Sequence, residues 1–355
     1  MQQSHQLERG EHASIARSGA GRPRSMTFKL GVTAKPRDKV HPREKDDAPR
    51  RVCEEQVMAT PPFADRLIEA VRKIGSPLCI GLDPFADKIP RLFGDARADP
   101  RPLEAFFTEI IAMAGAHAAV IKPQLGLFEP YGPEGVTLAR DLTEAARARG
   151  LLVLLDAKRG DIGSTAEGYA RATLGPAPGF DADAVTINPY LGLDSLTPFL
   201  DAAQARAKGV AVLVRTSNPG ARDLQDLGVE GAPVWSHVAR MIAPEATRLA
   251  GASGWSGLMA VAGATWPDEA RLLRALAPTS LFLVPGYGAQ GASAEEALAG
   301  FVPGPAGLEG GIVSSSRAIL YPPGAEAAPT TEAWRALIRD AMAAAHHELA
   351  HAAAR

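Results

Sequence analysis

Cysteine is nearly absent from this 355-residue chain, where only Cys53 and Cys79 occur. Two thiols so far apart supply neither a disulfide framework nor a zinc cluster, so reduced thiols in a cytoplasmic protein are expected. Aromatic residues are scarce at 6%, which leaves Ala, Leu, Val and Ile to build the core. No apolar stretch approaches the roughly 20 residues of a membrane span, so no membrane partner is expected. Excess charge is missing too. A net charge of −2 argues against a dedicated nucleic-acid binder, which needs a basic surface. The N-terminal segment lacks the apolar run of a secretory signal. What remains is a globular composition, 46% hydrophobic and 22% charged, long enough for one large core or two ordinary domains. The 35 Gly and 29 Pro suit many tight connections between short elements.

The charge is uneven. Residues 1–57 hold twelve Lys and Arg against eight Asp and Glu, and the remainder 26 against 32. This segment has no sustained apolar periodicity and reads as a disordered, solvated extension, or as upstream sequence read from too early a start. Its acidic residues, Glu8, Glu11 and Asp38 among them, speak against a transit peptide. A single folded domain over 58–355 is expected to follow. Thr60 can cap its first helix, with Pro61 and Pro62 in the first turn and Phe63, Leu67, Ala70, Val71 and Ile74 on one face.

From there the chain alternates. Apolar runs recur at Leu78–Leu82, Ala118–Ile121, Leu151–Leu155, Ala184–Ile187, Val210–Val214, Leu258–Ala262, Leu281–Val284 and Gly311–Val313. Continuous apolar runs mark strands buried on both faces. Amphipathic stretches lie between them, such as 102–114, 135–149, 193–207 and 234–250. Eight β-then-α units predict an α/β fold, the (β/α)8 TIM barrel. A doubly wound open sheet is the alternative, but the Gly81-Leu82-Asp83-Pro84 turn after the first run is not its Gly-rich signature.

A barrel carries its chemistry at the C-terminal strand ends. Polar residues stand at those places: Asp83, Lys122, Asp156 to Asp161, Asn188, Arg215 to Asn218, Pro285 to Gly291 and Ser314 to Arg317. The third strand is the most telling. Asp156 and Lys158 are two apart and therefore share a side of the strand. Opposite charges within about 4–6 Å keep carboxylates ionised and ammoniums protonated. A lysine held so can stabilise a forming carbanion and then protonate it. The bland reading is a structural ion-pair cluster, and Lys122 and Asp83 on neighbouring strands weigh against it. After strands 7 and 8, Gly286, Gly288 and Gly291 would let backbone amides approach a phosphate, a following helix would add its dipole, and Arg317 offers a bidentate fork.

These residues resemble the orotidine 5′-phosphate decarboxylase family, in its bacterial type 2 branch. The matching pieces are CIGLDP (79–84), IKPQ (121–124), LLDAKRGDIGSTA (154–166), TINPYLG (186–192), RTSNPGA (215–221), PGYGAQG (285–291) and SSSRAILY (314–321). The resemblance implies a homodimer of barrels that converts orotidine 5′-monophosphate to UMP and CO2 in pyrimidine biosynthesis, with no metal or organic cofactor. It implies Lys158 as proton donor, Asp156 against the departing carboxylate, and Lys122 and Asp161 completing a charged tetrad. It implies Asp83 and Thr165 on the ribose, Ser217 on the pyrimidine, and Gln290 and Arg317 on the phosphate. Asp161 and Thr165 would act across the dimer. Ser316 departs from the Gly that the other main branch has before its phosphate arginine, and the loop from Ser217 to Pro233 is long.

Other chemistries stay open on the residues alone. Related barrels use a similar array for Mg²⁺-dependent sugar-phosphate lyase chemistry, and Lys122 or Lys158 suits a Schiff-base aldolase. A non-catalytic nucleotide-binding module is a further alternative. His347-Glu348-Leu349-Ala350-His351 fits a zinc motif on a helix, but no third ligand follows it in this sequence. The surrounding Ala-rich segment reads as a surface helix.

Overall fold

The computed structural model describes residues 60–288 and 290–355, so the expectation for residues 1–57, and Cys53 with it, lies outside the described residues. Eight parallel strands close into a barrel: β1 Leu78–Leu82, β2 Val120–Pro123, β3 Leu152–Arg159, β4 Ala184–Ile187, β5 Gly209–Arg215, β6 Ser256–Ala262, β7 Ser280–Val284 and β8 Gly311–Ser315. Each strand pairs with its neighbours in sequence, and β8 returns to β1 with Leu78 opposite Val313. The (β/α)8 expectation is borne out.

The main helices are α1 Phe63–Ile74, α2 Arg101–Ala114, α3 Gly132–Ala148, α4 Gly163–Leu174, α5 Leu193–Ala205, α6 Val234–Ile242, α7 Pro267–Leu276 and α8 Thr331–Ala353. The runs were apolar throughout because both strand faces are buried. Alternate residues Leu152, Leu154, Ala184, Met259, Leu281 and Ile312 cluster inside the barrel, where Phe63, Ala64, Leu67 and Ile68 of α1 join them. The other set, including Ile80, Ile121, Val153, Val185, Val212 and Phe282, packs with the helices.

Three local expectations are corrected. Thr60 caps nothing: α1 starts at Phe63 with Pro62 in the cap position. The stretch expected to be helical from 234 to 250 stops at Ile242, because Pro244 cannot continue it and a 3-10 turn, Pro244–Leu249, takes over. The C-terminal segment is more than a surface helix. Trp334, Ile338, Met342 and Leu349 of α8 are wholly buried, and Trp334 meets Phe93 and Phe106 at ring-centroid distances of 4.8 and 5.3 Å.

Several strands also run further than their apolar cores. β2 includes Lys122, β3 includes Asp156 to Arg159, and β8 includes Ser314 and Ser315. Of these, Lys122, Asp156, Lys158 and Ser314 turn their side chains to the barrel mouth, whereas Arg159 pairs with Glu129.

Candidate active site

A cavity of about 510 Å³ opens at the C-terminal ends of the strands, a size common for small-molecule sites. Asp83, Lys122, Asp156, Lys158, Ser217, Gln290 and Arg317 all line it. Seven of the nine residues expected at the site therefore share one cavity.

At its floor the Asp156 carboxylate accepts four hydrogen bonds. Oδ2 takes Lys122 Nζ and Gln124 Nε2, both at 2.8 Å, and Oδ1 takes Lys158 Nζ at 2.6 Å and Thr186 Oγ1 at 2.9 Å. Asp156 and Lys122 are 6% and 5% exposed. Burial alone would raise the Asp156 pKa, but the Lys122 and Lys158 ammoniums override it and hold the carboxyl well below the usual range. Burial alone would lower the Lys122 pKa, and the Asp156 and Asp83 charges instead push it above the ordinary lysine value. Asp156 and Lys122 are thus held in their charged forms at neutral pH.

Lys158 differs from Lys122. Its side chain is 46% exposed and its ammonium has donors left for a ligand. Its φ is +46°, a left-handed conformation that costs a non-glycine residue roughly 1–2 kcal/mol. The pairing of β3 with β4 shifts register between Leu155 and Arg159, and Lys158 N–H donates to Thr186 Oγ1 at 2.9 Å. Asp156 and Lys158 do share a side, but on a kinked strand end. Asp83 also lines the cavity, and its Oδ1 is buried with no hydrogen-bond partner among the described residues.

The phosphate side is narrower than the glycines suggest. Gly286, Gly288 and Gly291 all have positive φ, but the amides of Gly288 and Gly291 donate within the loop, to Ala292 O and Gly288 O. The helix that follows is a single turn, Ala294–Ala297, whose N-terminus is closed by a capping box of Ser293 and Glu296. Gln290 and Arg317 remain as anion partners, and no described carboxylate pairs with Arg317. Gly81 makes room for Ser316, since a Cβ there would lie 1.8 Å from Ser316 Oγ.

Residues 76–331 match the model of the orotidine 5′-phosphate decarboxylase / HUMPS family. The chain belongs to this family.

Among its relatives is an orotidine 5′-phosphate decarboxylase of Rhodopirellula baltica, 39% identical over 269 residues, which are 73% of this chain and 88% of that protein. One of Deinococcus radiodurans is 41% identical, over 78% of this chain and 96% of its own. The solved structure of Leishmania donovani OMP decarboxylase, 31% identical, superposes with a TM-score of 0.65 over 82% of this chain and 98% of that one.

Two of the expected residues lie outside this family member's cavity within the single chain. Asp161 Oδ1 accepts from the Ile162 amide at 2.8 Å, and Thr165 is exposed on the first turn of α4. Beside them Ile162, Tyr190 and Leu191 are exposed apolar residues. Sequence reasoning missed Gln124 and Thr186 as partners of Asp156. Both lay in plain view, as polar residues directly at the ends of β2 and β4. The long loop after β5 is anchored at its root, where Trp266 lies between the guanidiniums of Arg215 and Arg222 at 4.2 and 4.6 Å and donates to Thr216 O. His347 and His351 take part in no group of three metal-ligating side chains among the described residues, and Glu348 instead accepts from the Tyr287 phenol at 2.7 Å. No described helix is long and apolar enough to cross a membrane.

Proposed function

We propose that the chain decarboxylates orotidine 5′-monophosphate to UMP and CO2, a step of pyrimidine biosynthesis, as a cytoplasmic enzyme of the bacterial type 2 branch. The observation that carries this reading is the Lys122–Asp156–Lys158 array, with Lys122 and Asp156 buried and the half-exposed Lys158 lining the same cavity as Gln290 and Arg317. The substrate phosphate meets Gln290 and Arg317, Asp83 takes a ribose hydroxyl, and Ser217 meets the pyrimidine. The carboxylate of the ring then lies against Asp156. The ring carbon–carboxylate bond breaks, CO2 leaves, and the electron pair stays on the ring carbon. The adjacent ammonium stabilises that charge without having to reorganise. Lys158 transfers a proton to the carbon and is reprotonated from water.

No electron-sink cofactor is called for, because the fixed cation does that work. The strained φ of Lys158 supports the assignment, since such strain persists where a site requires it. Asp161 and Thr165 act in the site of a second copy of the chain, a homodimer supported by the exposed Ile162, Tyr190 and Leu191 beside them. The catalytic unit is 58–355. No nucleic acid takes part. The decisive test is the loss of orotidine 5′-monophosphate absorbance with purified protein in chelator. Turnover that stops in chelator and returns with Mg²⁺ would overturn the metal-free reading.

A further inference from the structure

We infer that Glu348 is a positioning residue: by accepting the Tyr287 phenol it sets the shape of the loop after β7, and with it the affinity of the barrel mouth for a nucleotide phosphate. The phosphate as ligand rests on the function proposed above.

The loop leaves β7 at Pro285 and carries Tyr287 between two glycines, Gly286 at φ +103° and Gly288 at φ +68°. Glycine backbones of this kind have many accessible conformers, and besides the two amide bonds that close the turn the loop needs a side-chain anchor to keep one shape. Tyr287 supplies it. It is 6% exposed, pairs through a β-bridge with Ala292, lines the cavity, and sends its phenol away from the barrel to Glu348 Oε2 at 2.7 Å. Burial, then the bond to Glu348, raises the phenol pKa further above 10, so it remains a donor at all working pH values.

Glu348 stands on α8, most of which lies beyond the residues that match the family model. That helix is rigidly seated, with Trp334, Ile338, Met342 and Leu349 in the core. A second tie runs from its end, where Arg355 meets Glu295 on the turn that follows the loop at 3.2 Å. The glutamate of an apparent zinc motif therefore serves as a brace. Gln290 sits in the same loop, three residues after the tethered tyrosine, so the anchor governs where its amide points. A loop preset in its binding shape spares the ordering cost at the moment of binding.

The test is a double-mutant cycle on UMP binding, measured by calorimetry, with orotidine 5′-monophosphate kinetics beside it. Losing one hydrogen bond to a charged acceptor should weaken UMP binding about tenfold in Glu348→Ala. KM should rise by the same factor with kcat within about twofold, since the effect falls on binding. Tyr287→Phe should match it, the double variant should lose no more than either single one, and Glu348→Gln, which keeps an acceptor, should regain most of the affinity. Decarboxylation of orotidine, which has no phosphate, should not respond. Wild-type UMP affinity in Glu348→Ala, additive losses, or equal slowing of both substrates would each overturn the inference. If the chain binds UMP but turns nothing over, the proposed reaction fails while the cycle still decides the brace. If the wild type binds no UMP, both fall.

Discussion

Asp156→Asn tests the charged array most directly. The substitution keeps the shape and removes the charge. Asp156 faces four donors, from Lys122, Gln124, Lys158 and Thr186. An asparagine offers one acceptor oxygen, and its amide nitrogen would confront two of those donors. Lys122, 5% exposed, would be left as a buried ammonium without its contact partner. Breaking a buried pair in this way costs about 3–5 kcal/mol. The Lys158 half adds little, because a side chain 46% exposed is screened by solvent. For a folded unit of this size the loss corresponds to a fall in Tm of roughly 5–8 °C. Thermal and urea unfolding would measure it, with substrate absorbance reporting activity, expected to vanish. The double variant Lys122→Met with Asp156→Leu should recover about 2 kcal/mol of that stability, because an apolar pair in place of a buried ion pair is often neutral or better. It should recover no activity. An Asp156→Asn protein that melts with the wild type, or a double variant less stable than the single one, would refute the reasoning. The pH dependence follows in sign. The depressed Asp156 pKa supplies stability that is full above the unfolded value of about 3.9 and lost as pH falls through the lower folded value. The raised Lys122 pKa supplies stability that is full below about 10.4 and lost as pH rises through the higher folded value. The contribution of the array should therefore be flat from about pH 5 to 9 in the wild type.

Lys158→Ala should abolish decarboxylation and shift stability by less than about 1 kcal/mol, because its ion pair is half solvated. Substantial turnover by this variant would remove Lys158 from the chemistry. Mixing inactive Lys158→Ala and Asp161→Ala chains should restore roughly a quarter of wild-type activity, since about half the dimers are mixed and each has one intact site. No recovery despite demonstrated subunit exchange would put Asp161 in its own chain's site. Arg317→Ala should lower kcat/KM for the phosphorylated substrate about thirtyfold, the worth of about 2 kcal/mol for a charged hydrogen bond, and leave orotidine turnover unchanged. Equal slowing of both substrates would sink the phosphate assignment.

The barrel was legible because strands covered on both faces must be apolar throughout, and Leu152–Leu155 or Ala184–Ile187 need no knowledge of their neighbours to show it. The positions of Lys122, Asp156, Lys158 and Arg317 were legible for a related reason: a charge directly after such a run has only the barrel mouth to enter. Side-chain partners are another matter, because they depend on which residue of one strand stands beside which residue of the next. Gln124 and Thr186 became partners of Asp156 only once β2, β3 and β4 lay in register. The left-handed kink at Lys158 is set by the shift in the β3–β4 ladder, and nothing local in a lysine encodes it. Gly288 and Gly291 were readable as flexible positions, whereas the loss of their amides to the loop itself required the closed turn. Composition marked the C-terminal segment as helical. That Trp334 and Leu349 enter the core, and that Glu348 reaches a tyrosine 61 positions earlier, was decided by packing, which alone brings distant stretches of chain together.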